Sequence, residues 1–273
     1  VIPARFDYEA ADSVDHAIEL LGSGKDAKVL AGGHSLLPLM RLRLARPELL
    51  VDIGRISDLS YVREDGDEIA IGALTRYHDL ESDELLRAEC PIVAHTAGLV
   101  GDPQVRHRAT IGGSVAHCDP ASDAPTVLLA LDAELVVRGP GGERRCAVAE
   151  SFGGFLQTTI APDEVLTEVR VPRTGSAGWS YRKFHRRSQD WATVAVAAVA
   201  DNGGARVALT NMGPIAVRAS GVEEALSSGA DAATAAERAA EGTSPPSDHN
   251  ASGEFREHLA RVLARRALEE ALG

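Results

Sequence analysis

The alternation of apolar and polar positions opens with a short strand at Phe6-Asp7-Tyr8. A stretch follows in which Val14, Ala17, Ile18 and Leu21 recur at helical spacing behind a Ser13 able to cap it. Gly22 and Gly24 end that helix, Val29-Leu30 reads as the next strand, residues 36–44 as a helix stopped before Pro47, and residues 49–53 as a buried strand. Strands alternating with helices in this way predict a compact α/β unit over residues 1–56.

From Tyr61 the period shortens to that of paired strands. Residues 61–64 and 68–73 flank the acidic turn Asp65-Gly66-Asp67, and residues 134–138 and 144–148 flank Gly139-Pro140-Gly141-Gly142, so two hairpins are predicted. Helical patterns over 79–88, 91–98 and 124–131 lie between them, and 165–171 reads as a further strand; residues 57–172 form a second, larger unit. Pro172-Arg173-Thr174-Gly175-Ser176-Ala177-Gly178 is the best linker. Beyond it, residues 179–273 read as a third unit with three antiparallel strands (179–185, 191–200, 205–211), the last pair joined by a turn at Asp201-Asn202-Gly203-Gly204. Helices follow over 221–241 and around Phe255, Leu259, Val262 and Leu263, which share a face. The class is α+β.

Composition narrows the chemistry. With 44% hydrophobic residues among 273 the chain can bury ample core, and a net charge of −12 argues against a general nucleic-acid binder, since this composition does not advertise the basic face that neutralising phosphates requires. The three cysteines, Cys90, Cys118 and Cys146, are far apart and make no Cys-x-x-Cys pair, so a metal cluster belongs on another chain. No apolar run is long enough to span a membrane and no charged-then-apolar leader is seen, so the expectation is a reduced, cytoplasmic protein.

The candidate chemistry sits in two glycine loops. Ala31-Gly32-Gly33-His34-Ser35-Leu36 joins a strand to a helix. Its glycines let backbone N–H groups approach a ligand, Ser35 can cap the helix, and such a start suits a phosphate. Thr110-Ile111-Gly112-Gly113-Ser114 repeats the device, and two such loops can clamp a diphosphate from both sides. His34 either bonds a phosphate oxygen or closes its loop. His117-Cys118-Asp119 is loop chemistry rather than a metal trio, because three adjacent side chains cannot face one ion without contortion.

With Asp102-Pro103-Gln104-Val105-Arg106 before the second loop and Ala121-Ser122-Asp123 after it, the chain resembles the FAD-binding subunits of the molybdenum hydroxylases, the family of carbon monoxide, xanthine and related heterocycle dehydrogenases. The resemblance begins at Ile2-Pro3-Ala4-Arg5-Phe6-Asp7-Tyr8. It includes Leu49-Leu50-Val51-Asp52-Ile53, Glu164-Val165-Leu166-Thr167-Glu168 and Lys183-Phe184-His185-Arg186-Arg187, and it runs essentially to Gly273. It implies a two-lobed FAD-binding domain of the vanillyl-alcohol-oxidase or PCMH-like type followed by a C-terminal α+β domain, with non-covalent FAD on both glycine loops. Asp119 or Asp123 would accept from ribitol or ribose hydroxyls, while Leu166, Lys183 and Trp191 would lie by the isoalloxazine. Ser114 departs from a frequent Asn and His107 from a frequent polar residue.

The function this resemblance implies is electron transfer within a complex. A small iron–sulfur subunit would supply electrons, a large molybdopterin subunit would hold the hydroxylation site, and FAD would pass electrons to a quinone, NAD or dioxygen. The chain would be the medium member of a three-subunit unit doubled into a heterohexamer. A self-sufficient FAD oxidase or dehydrogenase acting directly on a small molecule is the alternative, followed by a non-catalytic nucleotide-binding scaffold.

Overall fold

The computed structural model describes residues 2–201 and 204–273, so the centre of the turn expected at 201–204 lies outside the described residues. The first unit comprises β1 (Asp7–Ala10), α1 (Val14–Leu21), β2 (Ala27–Leu30), α2 (Leu36–Arg41) and β3 (Leu49–Asp52), with the strands parallel in the order β1-β3-β2. Ser13 caps α1 by accepting from the His16 N–H, and Ala17 and Leu21 face a small core with Val51 and Ile53. Helix α2 stops short of the expected Leu44 because Arg43 takes a left-handed conformation (φ 59°) and the N–H groups of Leu44 and Ala45 both turn back to the Leu39 carbonyl.

The second unit contains β4 (Val62–Asp65), β5 (Glu68–Gly72), α3 (Tyr77–Ser82), α4 (Glu84–Glu89), α5 (Pro91–Gly98), α6 (Pro103–Arg106), α7 (Ile111–His117) and α8 (Asp123–Ala130). These are followed by β6 (Glu134–Gly139), β7 (Gly142–Ala147), α9 (Val148–Ser151), β8 (Phe152–Gly154), β9 (Gln157–Thr158) and β10 (Val165–Pro172). Five strands form an antiparallel sheet in the order β4-β5-β10-β6-β7. Ile69 and Ile71, Leu135 and Val137, and Val169 and Val171 alternate onto one core with Ile111 and Leu128 from the helices. The single helix expected over 79–88 is two, because Asp83 breaks it and caps α4 through the Leu86 N–H at 2.9 Å. On β10, Arg170 is buried and donates to Asp65, Glu68 and Glu168, and Glu168 also accepts from Tyr61 at 2.6 Å.

The third unit has β11 (Trp179–Phe184), β12 (Val194–Asp201), β13 (Gly204–Thr210), β14 (Val217–Arg218), α10 (Ser220–Ser227), α11 (Ala232–Ala236) and α12 (Gly253–Leu272). Its antiparallel sheet has four strands in the order β11-β12-β13-β14, one more than the three expected; β14 is too short to show an alternation. Strand β12 begins three residues later than expected, at Val194, which leaves Trp191 in the loop before it. The helical pattern over 221–241 is interrupted by Gly229 at φ +87° and by the Asp231 cap of α11.

Both faces of β12 are covered. Ala195, Ala197 and Val199 join the core of the second unit, while Val194, Val196 and Ala198 pack with α12. The face that α12 turns inward is Arg256, Leu259, Ala260, Leu263, Ala264, Ala267, Leu268 and Ala271, so Phe255 is left exposed. No described helix is long and apolar enough to cross a membrane.

Candidate cofactor site

The first glycine loop is a bare run of donors. Leu37 N–H turns back to the Gly33 carbonyl, but the N–H groups of Gly32, Gly33, His34, Ser35 and Leu36 have no acceptor among the described residues, and His34 stands exposed above them. Gly33 sits at φ +78°, where a side chain is strained. Gly32 answers a different need: a Cβ there would lie 2.3 Å from the Arg108 carbonyl oxygen, so this loop is pressed against the segment that enters the second one. The expected Ser35 cap does not form, because Ser35 itself has a helical backbone (φ −101°, ψ −51°) rather than the extended one from which a hydroxyl reaches back. Its hydroxyl therefore has no helix N–H to receive, and it remains half-buried beside Ala31 and Leu36, which are also half-buried.

The second loop differs from expectation. Gly112, Gly113 and Ser114 belong to the first turn of α7, and their backbone donors are already spent. Ile111 N–H goes to Thr75, Gly112 N–H to Ala73, Gly113 N–H to the Thr110 hydroxyl at 3.2 Å, and Ser114 N–H to the Thr110 carbonyl. A Cβ on Gly112 would come within 2.6 Å of the Ala73 Cβ, and one on Gly113 within 2.8 Å of the Thr110 hydroxyl. These glycines serve close packing and a helix cap rather than a second set of free N–H groups. Tyr77, buried at the start of α3 with its N–H on the Ala109 carbonyl, is a residue of this wall that the loop motif alone did not reveal, and burial pushes its hydroxyl above the ordinary value.

Beyond the loops, three side chains from distant segments meet. Asp123 at the start of α8 accepts from the Tyr181 hydroxyl at 2.5 Å and from the Lys183 ammonium at 2.8 Å, and Lys183 also reaches the Leu99 carbonyl at 3.3 Å. Alternation along β11 puts Tyr181 and Lys183 on the same face, both turned towards α8. Burial pushes the Asp123 carboxyl up and the ammonium beside it pulls it down, while burial together with the carboxylate holds the Tyr181 hydroxyl well above its ordinary value. Asp123 is 5% exposed and each of its oxygens already accepts one hydrogen bond, one from Tyr181 and one from Lys183, so it anchors Lys183. Leu166 lies in the core at a bulge of β10.

Trp191 is 57% exposed and lines a cleft of about 1110 Å³ with Asp119, Phe155, Arg186 and Asp190. Asp119 accepts from the Ala121 N–H at 2.9 Å and lies 3.9 Å from the half-buried His117, whose imidazole is held below its usual value by burial. The cleft is closed from the third unit by Asn211, which donates to the Ala192 carbonyl and whose N–H bonds the Pro120 carbonyl at 2.7 Å. The structure thus brings Asp123 to Lys183 and Asp119 towards Trp191, while the second glycine loop stands behind the first.

Such a wall fits a dinucleotide. The unpaired N–H groups at 32–36 match anionic oxygens, and Gly33 holds the turn that exposes them.

Residues 4–174 match the family described as FAD binding domain in molybdopterin dehydrogenase, and residues 179–271 match the CO dehydrogenase flavoprotein C-terminal domain. The chain is 41% identical to the carbon monoxide dehydrogenase medium chain of Hydrogenophaga pseudoflava, over 99% of this chain and 98% of that one. It is 39% identical to the 6-hydroxypseudooxynicotine dehydrogenase complex subunit alpha of Paenarthrobacter nicotinovorans, over 99% and 95%. A solved carbon monoxide dehydrogenase structure from Hydrogenophaga pseudoflava superposes with a TM-score of 0.96 at 42% identity, covering 100% of this chain and 99% of the other.

Proposed function

The chain belongs to the family of FAD-binding subunits of the molybdenum hydroxylases, and from that premise we propose that residues 32–36 receive the pyrophosphate of one non-covalently held FAD while Leu166, Lys183 and Trp191 flank its ring. The chain is an electron-transfer subunit of a multi-subunit oxidoreductase. Bound there, FAD supplies the carrier that accepts electrons from one partner and releases them to another. The protein's own part is to bind and orient it. The N–H groups of the first loop hold the phosphates, Gly32 lets the first lobe close on the Arg108 segment of the second, Gly112 lets α7 pack on Ala73 within that second lobe, and the Asp123–Lys183 pair fixes a cation near the ring's polar edge.

The observation that carries this reading is the run of unpaired N–H groups at 32–36, since a buried or half-buried backbone donor is ordinarily satisfied. Electrons enter from a small iron–sulfur subunit of a complex that also contains a large molybdopterin subunit, and they leave to a quinone, NAD or dioxygen in the cytoplasm. The substrate is chosen on the large subunit; the near-equal identity to a carbon monoxide and to a 6-hydroxypseudooxynicotine enzyme agrees with a relay indifferent to the substrate's chemistry.

The test is reconstitution. The purified chain takes up FAD, acid precipitation releases all of it, and Gly33→Val abolishes uptake while circular dichroism stays that of the wild type. Colour left in the acid pellet would contradict non-covalent binding. Anaerobic addition of carbon monoxide or a purine leaves the flavin of the isolated chain oxidised; bleaching without another subunit would mark a direct oxidase instead.

A further inference from the structure

We propose that the ledge formed by the end of α2 and the loop after it docks a different subunit of the complex, through a partner face that is apolar at its centre and edged with carboxylates. The proposal rests on the reading of this chain as one member of a complex. Arg41, Leu42, Arg43, Leu44 and Arg46 are all exposed, Leu42 at 65% and Leu44 at 73%, and Leu37, one turn before Arg41 on the same side of α2, is 41% exposed. Leucines gathered in this way on a surface are the usual mark of a covered one.

The charge says what covers it. The chain carries a net −12, and its arginines elsewhere mostly face carboxylates, as Arg144, Arg170, Arg218 and Arg256 do. Arg41, Arg43 and Arg46 face none among the described residues, and residues 36–47 contain no acid. A stretch of one sign with leucines between its arginines calls for an anionic, partly apolar counterpart.

The ledge is also built in advance. Arg43 Nε donates to the Ile2 carbonyl and Arg46 Nε to the Arg43 carbonyl, so both stems are tethered to backbone. Arg43 is held at φ 59°, a conformation that persists only where its surroundings fix it, and the paired bonds from Leu44 and Ala45 to Leu39 supply that fixing. A surface ordered beforehand loses little entropy on docking, which suits a protein face. A second copy of this chain, meeting it symmetrically, would set arginine against arginine. A lipid surface asks for a longer amphipathic face than a six-residue helix offers.

The experiment is co-expression of the full chain with the small iron–sulfur and large molybdopterin subunits, comparing wild type with Leu42→Asp and with Arg41→Glu. Each variant should hold FAD as the wild type does and bind at least one of the two subunits tenfold more weakly or worse. Wild-type assembly should weaken as salt rises, less steeply for Arg41→Glu. Assembly of both variants at wild-type strength overturns the proposal. So does a self-dimer of the wild-type chain that either variant disrupts, or binding to phosphatidylserine vesicles that either variant removes while subunit assembly persists. A wild-type chain that holds FAD but assembles with neither subunit overturns the reading of a complex member, and the ledge proposal with it.

Discussion

Lys183 and Asp123 have 5% and 6% of their side chains exposed, so their charges are taken out of water together. Removing one leaves the other uncompensated, a loss of about 3–5 kcal/mol. Lys183→Met should therefore lower the urea midpoint sharply, and Lys183→Met with Asp123→Asn should recover part of the loss. With Lys183 at the ring as proposed, the flavin potential should move with the same logic: Asp123→Asn should free the ammonium's field and raise the midpoint, Lys183→Met should lower it, and the pair of changes should return it towards wild type. A spectroelectrochemical titration in which none of the three moves would place Lys183 away from the ring. The partnership was not legible in the sequence because Asp123 lies 58 and 60 residues from Tyr181 and Lys183, and no local pattern encodes which strand residue will arrive over α8. The glycine pairs were legible as glycines, and the Thr110 hydroxyl that Gly113 leaves room for is local, but what Gly32 and Gly112 avoid, at Arg108 and Ala73, is tertiary. Gly112→Ala should accordingly cost about 1–3 kcal/mol by overpacking against Ala73 even without FAD, whereas Gly33→Val should act mainly on binding.

At the scale of elements, the strands of the second unit keep their register because one face carries the apolar core of Ile69, Ile71, Val169 and Val171 and the other the buried Glu168–Arg170 cluster, and a shift of one residue would exchange the two. The failures are of length and of breaks. Strand β14 has two residues, Trp191 carries strand-like composition yet precedes β12, and Asp83 and Gly229 divide stretches whose periodicity continues across them. The loop between β9 and β10 is held by Glu164, which accepts from Arg144 at 2.8 and 2.7 Å and from the Ala161 N–H at 2.8 Å. Arg144 beside it holds the Glu164 carboxyl below the ordinary value of 4.5. A carboxyl whose folded pKa is depressed contributes stability that is present above its unfolded pKa and lost as pH falls through the folded one. Glu164→Gln should thus be less stable than wild type at pH 7, by about 1 kcal/mol given the exposure of Arg144, with the difference closing on the acid side of 4.5. Equilibrium unfolding across that range measures it.

At the scale of the molecule, the proposed site draws on residues 32–36, Leu166, Lys183 and Trp191 from all three units, so occupancy and stability should be linked. Free FAD at a hundred times its dissociation constant should add about 2.7 kcal/mol to the unfolding free energy, read as a rise in melting temperature that Gly33→Val removes. Absence of that rise in the wild type would contradict the site.

The helix α12 presses on the strand that bears Tyr181 and Lys183: a Cβ on Gly178 would stand 2.0 Å from the Ala271 carbonyl oxygen, and Glu270 receives the Ser180 hydroxyl and pairs with Arg182. A ribosome delivers that strand well before it delivers the helix. In the interval the alanine- and valine-rich face of β12 has no cover, and a growing chain in that state is a natural client for a chaperone. The Lys183 side of the proposed site should therefore be complete only once α12 has been made, and a chain cut before Gly253 should aggregate where the full chain does not.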